Sequence, residues 1–75
     1  MSEVVFTLRG DFIPLDALLK ACGLASSGGD AKQMVLAGMV SVDGSAESRR
    51  TCKIRSGQRV ECAGTTVNVV AGPPA

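Results

Sequence analysis

Arg49, Arg50, Lys53 and Arg55, four cations within seven residues, are the side chains here with the clearest chemical capacity. The planar guanidinium fork of arginine donates two hydrogen bonds at once to a phosphate, and lysine adds a point charge on a flexible stem. Spaced along a turn and an extended run, these residues can track neighbouring phosphates. Lys32 joins them: on a helix it lies about 100° round from Ala31, outside the core-facing stripe. Lys20 is weaker, because Asp16 four residues before it offers a local partner. Ser27-Gly28-Gly29 presents a different anion-binding option, the free N–H groups of a helix start without side chains in the way. The Asp30 carboxylate opposes an anion there, and a capped helix start accounts for the same residues.

Other chemistries are poorly supplied. The chain has no histidine, and its three cysteines, Cys22, Cys52 and Cys62, have no C-x-x-C spacing. A zinc site needs four sulfur or imidazole ligands, which these residues cannot provide. The cysteines read as small, partly buried hydrophobes, with Cys52 and Cys62 placed to face each other if they fall on neighbouring strands. No serine, cysteine or carboxylate pair stands in an activated arrangement, and neither the phosphate-loop pattern nor G-x-G-x-x-G occurs. Asp11 with Asp16, and Asp43 with Glu47, each have a plain turn or helix-start explanation. No catalytic residue, metal or cofactor is expected.

Net charge is +1 over 75 residues, yet it is segregated: residues 1–31 carry −2, residues 32–59 carry +4, and residues 60–75 carry −1. A basic zone on a nearly neutral chain is the footprint that anionic partners use. A hydrophobic share of 45% and a charged share of 20% fit one small globular domain with a single modest core. No basic leader with an apolar run is visible, and no apolar run approaches the roughly 18 residues of a membrane span. The expectation is a monomeric cytoplasmic protein.

The elements that must position the cations can be read in order. Val4 to Leu8 is a short β-branched and aromatic strand, broken by Gly10-Asp11. Pro14 suits the first turn of a helix, and Leu15, Leu18, Leu19 and Cys22 form one apolar stripe ended by Gly23. Ser27 and Asp30 give a capping-box start to a second helix with an apolar face of Ala31, Met34, Val35 and Gly38. Val40-Ser41-Val42 alternates as a strand does, and Asp43-Gly44 is a tight-turn signal. Short strands follow at Ala46–Ser48, Thr51–Arg55, Arg59–Cys62 and Thr66–Val70, with turns at Ser56-Gly57 and Ala63-Gly64. The apolar first and last strands are candidates to pair. The fold class is therefore α+β: an N-terminal strand, two short helices on one side, then a small, mostly antiparallel sheet of three to four strands. One domain over residues 1–71 with a flexible tail at 72–75 is expected.

These residues resemble a known family. From Leu15 to Val60 the sequence is similar to the RNA-binding domain named after ribosomal small-subunit protein S-four, whose core is the alpha-L motif. The resemblance rests on Leu15-Asp16, Leu19, Gly23-Leu24-Ala25, Ser27, Ala31-Lys32-Gln33-Met34-Val35, Gly38, Val40, Val42-Asp43-Gly44 and Gly57, in order and without a gap through the middle. Ser27 to Lys32 and Glu47-Ser48-Arg49-Arg50 are similar to the short, free-standing YbcJ-like bacterial branch. Many family members carry arginine after the serine, where this chain, like that branch, has Gly28.

The resemblance implies a non-catalytic protein that binds structured RNA, ribosomal RNA among the candidates. The candidate RNA-binding residues are Ser27, Lys32, Gln33, Arg49, Arg50, Lys53 and Arg55. With no Trp or Tyr, and with Phe6 and Phe12 read as core, aromatic platforms for unstacked bases are lacking. Recognition of a folded or double-stranded RNA by shape and backbone is the better fit. About four phosphate contacts would cost roughly a hundredfold in affinity between 50 and 200 mM salt. The alternative is a protein-interaction module that docks its basic face on an acidic protein or a ribosomal partner.

Overall fold

A computed structural model describes residues 2–72. The chain runs through β1 (Ser2–Leu8), β2 (Ile13–Pro14), α1 (Leu15–Ala21), α2 (Gly28–Leu36), β3 (Val40–Val42), β4 (Ser45–Ala46), β5 (Lys53–Ile54), β6 (Arg59–Cys62) and β7 (Thr65–Ala71). Five strands form a mixed sheet in the order β1-β7-β6-β3-β4, and β2 pairs with β5 in a separate two-stranded sheet. The first and last strands pair in parallel, from Ser2 opposite Thr65 to Leu8 opposite Ala71. The other ladders of the main sheet are antiparallel. This is the expected α+β architecture, with β1 added as an edge of the sheet.

Period-two alternation selects the core face of the sheet. Leu8, Val40, Val60, Cys62, Val67 and Val69 are buried, whereas Glu3, Val5, Arg59 and Glu61 face out. The two helices cover the buried face. Leu15, Leu18 and Leu19 are fully buried from α1, and Ala31 and Val35 from α2, at the i, i+3, i+4 spacing of one helical stripe. Both helices close with paired backbone bonds: Gly23 N–H to Lys20 O and Leu24 N–H to Leu19 O, then Gly38 N–H to Val35 O and Met39 N–H to Met34 O. Gly38 makes the second closure with φ +74°, and it is exposed, so it stops the helix and makes no close helix contact. Asp43 (φ 51°) and Gly44 (φ 85°) form the two-residue turn between β3 and β4.

Several local expectations are corrected. Pro14 sits one residue before α1, extended at ψ 144° and within β2. The strand expected over Thr51–Arg55 shrinks to Lys53–Ile54 and leaves the main sheet, because Ile54 is wholly buried opposite Ile13. Cys52 therefore lies off the sheet that holds Cys62, and all three thiols are free. Burial raises the pKa of each cysteine. Phe6 packs against the core as expected, but Phe12 is 40% exposed. Gly72 donates its N–H to the Leu8 carbonyl at 3.0 Å, which ties it to β1; the rest of the expected tail, 73–75, lies outside the described residues.

Candidate nucleic-acid interface

Arg49 and Arg50 lie on a loop that is built onto the start of α1. That helix has no side-chain cap at Pro14. Its first N–H groups find carbonyls elsewhere: Leu15 N–H donates to Cys52 O and Asp16 N–H to Arg50 O, both at 2.9 Å. Residues 50–52 thus satisfy donors that a helix start would otherwise leave unpaired, and the helix in turn holds the loop. Cys52 N–H closes the loop onto Arg49 O at 3.1 Å. Because the carbonyls of Arg50 and Cys52 are spent in this way, the segment cannot join the main sheet as a longer strand.

Glu47 braces the other end. Its carboxylate accepts the N–H of Ser48 at 2.9 Å and of Arg49 at 3.1 Å, and lies 3.8 Å from Arg49 Nε. The Cys52 thiol beside it, with the Arg49 N–H next, holds the Glu47 carboxyl below its ordinary range. On the opposite side Arg50 Nη1 stands 3.8 Å from Asp16 Oδ2. Asp16 therefore turns to Arg50 across the fold, and the local pair expected with Lys20 is not formed. Both arginines remain accessible, Arg49 at 79% and Arg50 at 51% side-chain exposure.

A cleft of about 310 Å³ opens between this loop and α2, lined by Lys32, Val35, Leu36, Ser48, Arg49, Arg50 and Thr51. Three cationic residues from two separated segments line one concavity, together with Ser48 and Thr51. Leu36, 62% exposed, adds an apolar wall. An anionic chain entering here meets converging positive charge and hydroxyl donors. A second anchoring contact supports the frame: Asp43 in the β3–β4 turn accepts Arg59 N–H at 2.9 Å and Gln58 Nε2 at 3.3 Å. These bonds, the Arg59 N–H first, keep the Asp43 carboxyl below its usual range.

The pattern of the S4 domain family matches residues 6–70. The chain belongs to the S4 domain family. The match extends past both ends of the expected core at 15–60, taking in the end of β1 from Phe6 and β7 as far as Val70. The chain is 48% identical over 59 residues to the Escherichia coli protein named "Putative RNA-binding protein YbcJ", covering 79% of this chain and 84% of that one. It shows the same identity and coverage with the YbcJ protein of Shigella flexneri. The solution structure of Escherichia coli YbcJ, described as revealing an alfaL motif involved in RNA-binding, aligns with a TM-score of 0.65 at 41% identity, over 95% of this chain and 89% of that one.

Within this S4 domain the seven residues singled out from sequence separate into groups. Lys32, Arg49 and Arg50 share the cleft. Lys53 is exposed on β5 and places Nζ 4.9 Å from the ring centroid of Phe12. Arg55 is exposed just past β5, its N–H donating to Gln58 Oε1 at 2.7 Å. Ser27 caps α2, its hydroxyl oxygen accepting the Asp30 N–H at 3.1 Å, and Gln33 is exposed on that helix. Neither Ser27 nor Gln33 lines the cleft. The Asp30 carboxylate reaches back to Ser26, accepting its N–H at 2.9 Å and its hydroxyl at 3.3 Å, and so stands over the helix start where an anion would have to approach.

Sequence reasoning did not find Glu47 and Asp16 as the carboxylates that stand beside the arginines, nor Ser48 and Thr51 as cleft residues. Glu47 carried only the local signal of a carboxylate two residues before Arg49. Asp16 carried none, since its partner lies 34 positions away in the chain.

Proposed function

We propose that this S4 domain binds structured RNA without catalysis, holding backbone phosphates with Lys32, Arg49 and Arg50 in the cleft, while Lys53 and Arg55 extend the basic path. The observation that carries this reading is the convergence of those three cations, from α2 and from the loop pinned to α1, on one concavity. An S4-domain match over most of the chain and the RNA-binding description of YbcJ support it. The cleft presents charge without an aromatic platform, which suits the phosphates and shape of a folded or double-stranded RNA, ribosomal RNA included. On this reading residues 1–71 act as a single monomeric domain in the cytoplasm, and Ser27 and Gln33 lie at the margin of the contact.

The test is affinity for a structured RNA, ribosomal fragments among the probes, as a function of salt. Three phosphate contacts give a slope of about −2.7 in log affinity against log salt, roughly a fortyfold loss from 50 to 200 mM. Affinity that stays flat across that range would end the proposal. A second reading has one observation in its favour, the exposed Leu36 on the cleft wall: the same basic face would dock an acidic or ribosomal protein. An acidic protein that displaces RNA at equimolar concentration, together with a weak salt slope, would support that reading instead.

A further inference from the structure

Phe12 has no role in the cleft, and the core does not absorb it. Its side chain is 40% exposed, beside a separate hollow of about 280 Å³ lined by Phe6, Thr7, Leu8, Arg9, Phe12 and Ile13. That volume lies just below the usual range for ligand sites, so it suits one planar group and little more. Lys53 Nζ stands 4.9 Å from the ring centroid, and Arg9 on the hollow's wall is exposed. Single exposed apolar residues are common and need no explanation. An exposed ring with one cation over it and another beside it is a narrower arrangement.

Its position relative to the cleft is set by the β2–β5 ladder. Pro14 lies opposite Lys53 and Ile13 opposite Ile54, which holds the segment after Phe12 against the segment after Arg50. Lys53 follows Arg50 by three residues through the turn that Cys52 N–H closes on Arg49 O, so the two backbones lie at most about 10 Å apart. Along one strand of a duplex that distance is about three nucleotide rises. A nucleic-acid strand held at Arg49 and Arg50 is therefore within a few nucleotides of Lys53 and the Phe12 ring beneath it.

We propose that Phe12, flanked by Lys53 and Arg9, is a stacking subsite for one unpaired base next to the structured segment held in the cleft. The subsite rests on the RNA-binding reading above. When the base stacks on the ring, the Lys53 ammonium moves from the ring to the phosphate of the same nucleotide. The exchange is favourable because an exposed cation–π contact is weaker than a base–aromatic stack, and the ammonium regains a full negative charge. The ligand is thus a junction, a paired stem with an unpaired flank, and not a blunt duplex.

The chain contains no Trp or Tyr, so Phe12→Trp introduces a single indole fluorophore at the subsite. The probes are an RNA hairpin with a blunt stem and the same hairpin with a few unpaired nucleotides at one end. The wild-type chain is expected to bind the flanked hairpin about tenfold more tightly. Phe12→Leu, which keeps apolar bulk and removes the ring, should bind both hairpins equally, with blunt-stem affinity and circular dichroism unchanged. The Phe12→Trp indole should be quenched by the flanked hairpin and left bright by the blunt one. Equal wild-type affinity for the two hairpins, or a Phe12→Leu variant that keeps the preference, overturns the subsite while leaving RNA binding in place. Binding of neither hairpin overturns both.

Discussion

Arg50 offers the sharpest examination of the cleft, because it is held by a carboxylate before any phosphate arrives. Its guanidinium lies 3.8 Å from Asp16, with the two side chains 51% and 23% exposed. An ion pair of that exposure stabilises by about 0–1 kcal/mol. A charge-assisted bond to phosphate contributes about 1.5–3 kcal/mol, so the guanidinium should leave Asp16 when RNA binds. Arg50→Gln then removes one contact: affinity at low salt falls roughly ten- to a hundredfold, and the salt slope becomes shallower by about 0.9. The loss between 50 and 200 mM salt drops from roughly fortyfold to roughly twelvefold. The loop itself should survive, since the Arg50 carbonyl that accepts Asp16 N–H is untouched.

Asp16→Asn separates competition from positioning. Asparagine keeps an oxygen for the Ala17 N–H that Asp16 now binds at 2.9 Å, and it removes the charge that competes with phosphate. Affinity should rise, by up to about fivefold if the full 1 kcal/mol of the pair is released, with the salt slope retained. Filter binding across a salt series measures both quantities, and thermal melts by circular dichroism report on the fold. An Arg50→Gln slope equal to that of the unmodified chain would refute the placement of Arg50 on phosphate. An Asp16→Asn variant that binds more weakly with an unchanged melt would refute competition and make Asp16 a positioning residue.

Two further outcomes follow from the same geometry. Gly28 opens α2 one turn before Lys32, and a Cβ built there meets nothing within 4 Å; Gly28→Arg should fold normally and tighten RNA binding, with a salt slope steeper by about 0.9 if that flank faces the RNA, and unchanged or weaker affinity in filter binding would place it elsewhere. Asp43 and Glu47 are both held below the ordinary carboxyl range, chiefly by Arg59 N–H and by the Cys52 thiol respectively; their contribution is complete above about pH 5.5, where the unfolded carboxyls are ionised, and is lost as pH falls through the lower folded-state values. Melting temperature should therefore fall on acidification through that window, and Asp43→Asn with Glu47→Gln should flatten the decline.

Local features of the fold were legible because they depend on neighbours in the chain. The stripe of Leu15, Leu18 and Leu19, the Ser27 cap and the Gly38 stop each need only a few residues to recognise, and each stands where the pattern put it. The candidate site was legible only in part. Arg49 and Arg50 were visible as a charge cluster and Lys32 as a flanking cation, but nothing local says that a helix start will recruit the carbonyls of Arg50 and Cys52. Phe12 was misplaced for the same reason. Aromatic residues are core by default, and its exposure depends on where β5 crosses β2.

By itself, then, the amino-acid sequence determined the two helices, the tight turns and the family resemblance, since these rest on periodicity, on capping and on residues that tolerate positive φ. Tertiary structure alone decided the direction of pairing between β1 and β7, the separate β2–β5 ladder and the meeting of Lys32 with Arg49 and Arg50. Such contacts join residues far apart in the chain, and they form where apolar faces must be buried and backbone donors satisfied together. No short stretch of sequence carries both conditions.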